Sequence, residues 1–153
     1  MKKKCRRKVW PTNINPIAHA IAGACITDAG SLNELRLNEL KAYEAMKFGT
    51  AGIQDWQILV DMNNIAERMG FHGIGPEVLK DCEIANEALH RAAKRYEETK
   101  RMGLSGEGLR ALHEVMQYHD LQRTSVSRAK YHEMIDKTRN YLKSHGKYVT
   151  HLE

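Results

Sequence analysis

Glu87-Ala-Leu-His90 puts a carboxylate and an imidazole three residues apart, on one face of a helix. Carboxylate-bridged di-metal bundles are built from such pairs, but they need two of them plus two further inward carboxylates. None of the other seven histidines (His19, His72, His113, His119, His132, His145, His151) has Asp or Glu three residues before it, so a surface pair is the expected role. His113 and His119 are six residues apart, which at about 100° per residue places them on different helix faces. Asp120 follows His119 directly, and neighbouring helical residues point in different directions. The expected role of His119 is therefore to tether helices through a hydrogen bond. Cys82 falls on an apolar helical stripe, where a thiol packs rather than attacks. No nucleophile elbow, phosphate loop, dinucleotide fingerprint or zinc-protease motif is present. These readings predict no catalytic residue, no metal and no cofactor, and they point to recognition as the chemistry.

Charge gives the strongest recognition signal. Lys2, Lys3, Lys4, Arg6, Arg7 and Lys8 form a basic arm, and Trp10 follows it. The chain has 24 basic and 19 acidic residues, a net charge of +5. Without the six arm cations the balance is 18 basic to 19 acidic, or −1. The stretch from Leu121 to Glu153 has seven basic and three acidic residues, leaving 11 basic against 16 acidic between Val9 and Asp120. Two basic ends thus flank an acidic middle that includes Asp55, Asp61, Glu67, Glu83, Glu87, Glu97 and Glu98. Such a field sets association and partner choice more than fold. The arm could neutralise phosphates with steep salt dependence, and Trp10 could stack on a base. Arg123, Lys130 and Lys137, with Arg139 and Lys143, are candidates to extend that partner- or nucleic-acid-binding patch along the last helix.

Cys5, Cys25 and Cys82 are odd in number, widely spaced and without a CxxC, which argues for a reducing, cytoplasmic setting. The basic start and INPIAHAIAGAC loosely resemble an export signal, but Asn13, Asn15, Pro16 and His19 break the continuous apolar run such signals need. No apolar run approaches the ~20 residues of a membrane-spanning helix.

The elements that must position these side chains read as helices. Prolines occur only at 11, 16 and 76, and alternating β-branched runs are absent. Asn15-Pro16 predicts a short helix toward Ala24. Ser31-Leu-Asn-Glu34 reads as a capping box opening a helix that Gly49 ends. Thr50 is the expected cap of the next helix, stopping at Gly70, and Pro76 starts a third that Gly103 closes. Ser105 caps a final segment, one long helix or a kinked pair whose weak point is Thr124-Ser125. The prediction is an all-α helical bundle of four to five helices with a long C-terminal helix and a flexible basic arm. Its divisions are an arm over 1–13, one domain over 14–146 and a tail over 147–153. The terminal helix is also a candidate for pairing in a homodimer, and Met46, Met62, Met69, Met116 and Met134 suit either an adaptable interface or a core.

Ile65 to Phe71 begins like a helix-turn-helix, but Pro76 falls where the recognition helix needs an aliphatic residue, so an ordinary helix end is expected. Gly49-Thr-Ala51-Gly-Ile-Gln-Asp55, Leu59, Asn64-Ile65-Ala-Glu67 and Gly70-Phe71 carry a resemblance. So do Gly103-Leu104-Ser105-Gly106, Leu109, Ala111-Leu112, Met116, His119-Asp120 and Gln122, and Asn15-Pro16-Ile17-Ala18 after the basic start. Together they resemble a family of small bacteriophage and prophage accessory proteins without an assigned function. The chain departs from that pattern at Gly52, where a hydroxyl residue is expected, and in its shorter Glu67–Gly70 segment. The resemblance implies a mobile-element setting, an α-helical fold and no known enzymology. Combined with the polarised charge, it implies an anti-CRISPR-like inhibitor that binds a host defence protein or ribonucleoprotein complex in the host cytoplasm. The alternative is a nucleic-acid-binding or regulatory protein using the arm.

Overall fold

The computed structural model describes residues 29–146 and Leu152. The arm residues Lys2, Lys3, Lys4, Arg6, Arg7, Lys8 and Trp10, the helix expected from Pro16, and most of the 147–153 tail lie outside the described residues. Within them, all regular structure is helical. The elements are α1 (Ala29–Phe48), α2 (Ile53–Phe71), a 3₁₀ turn (Pro76–Val78), α3 (Leu79–Thr99), α4 (Gly106–Ser125) and α5 (Arg128–Ser144). The all-α bundle is therefore shown.

Helix α2 is the hub, packing against α1, α3, α4, α5 and the 3₁₀ turn. Its stripe of Trp56, Leu59, Met62, Ala66 and Met69 is buried all along its length. Met46, Leu89, Leu112 and Val115 close over it, each contributing roughly 1.5–3 kcal/mol of burial. Four of the five methionines set aside for an interface or a core (Met46, Met62, Met69, Met134) are buried, and Met116 is partly so. Small residues let α3 and α4 approach closely: a Cβ added to Gly108 would sit 2.5 Å from the Ala88 methyl. Several polar groups between the helices are paired, as where the Trp56 indole donates to the Leu89 carbonyl at 2.9 Å and the Asn63 amide nitrogen donates to the Cys82 carbonyl at 3.2 Å, whereas the Asn63 amide oxygen has no partner.

The helix ends show which punctuation the chain uses. Gly49 takes φ +72°, Thr50 donates to the Ala45 carbonyl and Gly49 to the Met46 carbonyl, which is a Schellman ending. Gly73, at φ +80°, repeats it, with Ile74 donating to Met69 and Gly73 to Gly70. Gly70 therefore does not end α2. It lies inside the last turn because an added Cβ would fall 2.8 Å from a Leu79 methyl. Thr50 does not cap α2 either; Asp55 accepts from the Gly52 amide at 2.9 Å. Helix α1 begins at Ala29, two residues before the expected Ser31 box. Helix α3 ends at Thr99, with Lys100 in the left-handed region, before Gly103 is reached. The long C-terminal helix is a pair broken at Val126: Thr124 and Ser125 turn their hydroxyls onto backbone carbonyls, and Ser127 caps α5 by accepting from the Lys130 amide.

Candidate functional site

His119, Asp120, Gln122 and Arg123 share the last turns of α4, and the bundle gathers around them. The Gln122 amide nitrogen donates to the carbonyls of Ile74 at 2.7 Å and Ala66 at 3.2 Å. That fixes its oxygen as the acceptor facing His119 Nδ1 at 3.0 Å. His119 is then protonated on Nδ1, and Nε2 accepts from the Tyr131 hydroxyl at 3.3 Å. One imidazole therefore links α4 to α5, and through Gln122 to the end of α2. The ring is fully buried, and burial, aided by the nearby Arg123 charge, lowers its pKa to about 4. His119 thus tethers helices, as its sequence neighbourhood suggested.

Arg123 corrects the basic-patch reading. Its side chain is 1% exposed and makes two hydrogen bonds to Glu39 on α1, at 2.7 and 2.9 Å. A guanidinium so enclosed cannot reach an external phosphate. Asp120 bridges outward to Arg36 of α1 at 2.7 Å, and the hydrogen bond from Arg36 holds its carboxyl below the usual range. Lys130 and Lys137 do lie on the outer side of α5, where both bind Glu133, at 3.2 and 2.7 Å. One carboxylate thus serves two cations, which leaves a net positive charge on that side of α5. Sequence spacing missed Glu39 and Arg36 because both partners sit 84 positions from Asp120 or Arg123.

The remaining reactive groups are also committed. Glu87 pairs with Arg91 at 2.9 Å on the exposed side of α3. Burial pushes the Cys82 thiol up to about 12, and its sulfur packs inside the core. Glu67 accepts from Asn86, and Asp55 serves the start of α2. Among the described residues, no three His, Cys, Asp or Glu side chains gather as a metal site would require, and no helix is long and apolar enough to cross a membrane.

One open feature is a groove of about 620 Å³ between α1 and α5, floored by α2. Ile58, Met62, Ile65 and Ile135 make its apolar base, and Leu35 forms the α1 wall. Charges of both signs line it: Glu34 on α1, Asp61 on α2, and Arg128 and Arg139 on α5. Helix α5 packs on α2, where Tyr131 and Met134 are buried in one cluster with Met69. Arg68 of α2 stacks over the Tyr141 ring at 3.9 Å and secures its far end. Fold and site together define an all-α bundle with a hydrogen-bonded polar cluster at the end of α4 and an open cleft between α1 and α5. Among known proteins, no family model, curated protein or solved structure matches the chain significantly.

Proposed function

We propose that this protein is a non-catalytic binding protein whose groove between α1 and α5 receives a segment of a partner protein. The carrying observation is the contrast between that cleft and the interior. The groove offers aliphatic side chains with charges of both signs around them, and the Glu39 and His119 side chains that reach its lining are already bonded to Arg123 and to Gln122 and Tyr131, as Asp120 and Cys82 are engaged elsewhere in the bundle. Apolar grooves with a few polar rim groups suit helix-in-groove recognition. In the mobile-element setting implied by the resemblance, the partner is a component of a host defence complex, and the protein acts as an inhibitor of the anti-CRISPR kind in the host cytoplasm.

The test is a pull-down from a phage-susceptible host lysate, with and without nuclease, using the full chain and the groove variants Leu35→Asp and Ile135→Asp. A defined complex that survives nuclease and is lost with both variants supports the reading. Capture that is indifferent to the groove refutes the docking site, and no defence component in any eluate refutes the inhibitor role. A second reading rests on the six arm cations, which suit backbone phosphates. A salt-sensitive band shift that disappears on deleting residues 1–8 favours it.

A further inference from the structure

Helix α1 is apolar on two sides. Its inner stripe, Leu32, Ala42 and Met46, is buried in the bundle, while Leu37, Leu40 and Phe48 remain 49%, 49% and 70% exposed. A helix apolar on one stripe needs one partner, and a helix apolar on two needs two. Leu37 and Phe48 are separated by about 20° around the helix and about 16 Å along it, so they share one line on its outer surface. Lys41 and Glu44 lie between them on the same side, within an arc of about 60°.

That order of residues is self-complementary. We propose that the outer face of α1 binds a second copy of this chain, the two α1 helices running antiparallel about a two-fold axis. Placing Leu37 of one copy against Phe48 of the other sets Lys41 opposite Glu44, and the symmetry makes both contacts twice. Leu40 and Phe48 border a shallow surface depression with Ala45, which gives an apolar side chain from the second copy a seat. The same-sense arrangement would instead align Lys41 with Lys41 and Glu44 with Glu44, so charge selects the antiparallel one. The groove between α1 and α5 opens on a different flank of α1, where Leu35 and Glu34 lie, and the pairing leaves it accessible. On α5, Tyr131 and Met134 are buried and the exposed Tyr141 ring is already stacked on Arg68 and His145.

The contact is confined to one helix, which places it among the small interfaces and makes the dimer reversible. Sedimentation velocity of the full chain over a wide concentration range reads it directly. A monomer–dimer equilibrium is expected, abolished by Leu37→Asp and by Phe48→Asp. Both positions are exposed, so circular dichroism and the unfolding midpoint should stay at wild-type values. Lys41→Glu should weaken dimerisation about tenfold, a size reasonable for two reversed surface pairs. Adding Glu44→Lys in the same chain should restore it. A monomer at every concentration, a dimer indifferent to Leu37→Asp and Phe48→Asp, or a double charge swap that fails to recover would each overturn the proposal.

Discussion

Acid should loosen this bundle through one buried imidazole. His119 has an ordinary pKa of 6.5 in the unfolded chain and about 4 in the fold, where burial leads the shift and the Arg123 charge adds to it. Between those values the unfolded state binds more protons than the folded one, so stability is full above about pH 6.5 and declines as pH falls toward 4. Applying one titrating site across that window gives a loss of about 2 kcal/mol at about pH 5 and about 3 kcal/mol at about pH 4. The geometry supplies the reason: a second ring proton would point at the hydrogen of the Tyr131 hydroxyl, and Nδ1–H is already given to Gln122. Urea unfolding followed by circular dichroism, at steps from about pH 7 to about pH 4, measures this slope.

The informative quantity is the difference from His119→Gln, which keeps a polar side chain but cannot titrate there. Other groups also change protonation over this range. Burial raises the Glu39 carboxyl, which titrates in the opposite sense, and Asp120, held low by Arg36, responds only at lower pH. Subtracting the variant removes these contributions to the extent that they are independent of His119. If wild type and His119→Gln lose stability in parallel from about pH 6.5 to 4, the imidazole is not the buried neutral link described above.

Three further predictions concern other points of the bundle. Arg123→Met should destabilise by about 3–5 kcal/mol because it strands Glu39 in the interior, and adding Glu39→Leu should recover most of the loss; a double-mutant unfolding cycle measures both. Gly108→Ala should cost about 1–3 kcal/mol by pushing α4 off Ala88, and Ala88→Gly in the same chain should relieve it, read from unfolding midpoints. Cys82 should resist alkylation in the native protein at neutral pH and react once urea is added, as mapped by peptide mass spectrometry.

The helices themselves were legible in the chain because local chemistry makes them. Gly49 marks the end of α1, Pro76 opens the 3₁₀ turn, Ser105 caps α4 at the Gly108 amide, and the Thr124-Ser125 weakness is where the last segment breaks. The misplaced ends have more than one cause: Asp55 rather than Thr50 serves the start of α2, and Lys100 takes the left-handed turn before Gly103. Gly70 looks like a terminator but is a spacer for Leu79, and only tertiary packing distinguishes the two. Arg123 failed for the same reason. Its spacing along the last segment matches an exposed cation, and nothing local announces Glu39, 84 positions earlier.

The fate of His119-Asp120 and Gln122-Arg123 bears on where the function lies. The hydrogen bonds of these four residues go to Tyr131, Arg36, the carbonyls of Ala66 and Ile74, and Glu39. Each joins α4 to another part of the chain. A buried network of this kind specifies how helices pack, and it leaves Arg123 Nε without a partner. The surfaces that this network fixes include the aliphatic floor of the groove and the outer line of α1 that carries Leu37 and Phe48. Both depend on the placement of α1 and α5, and the Glu39–Arg123 and His119–Tyr131 contacts set that placement. Loss of the network should therefore weaken partner binding without any network residue touching the partner, whereas Leu35→Asp should weaken binding and leave the unfolding midpoint in place.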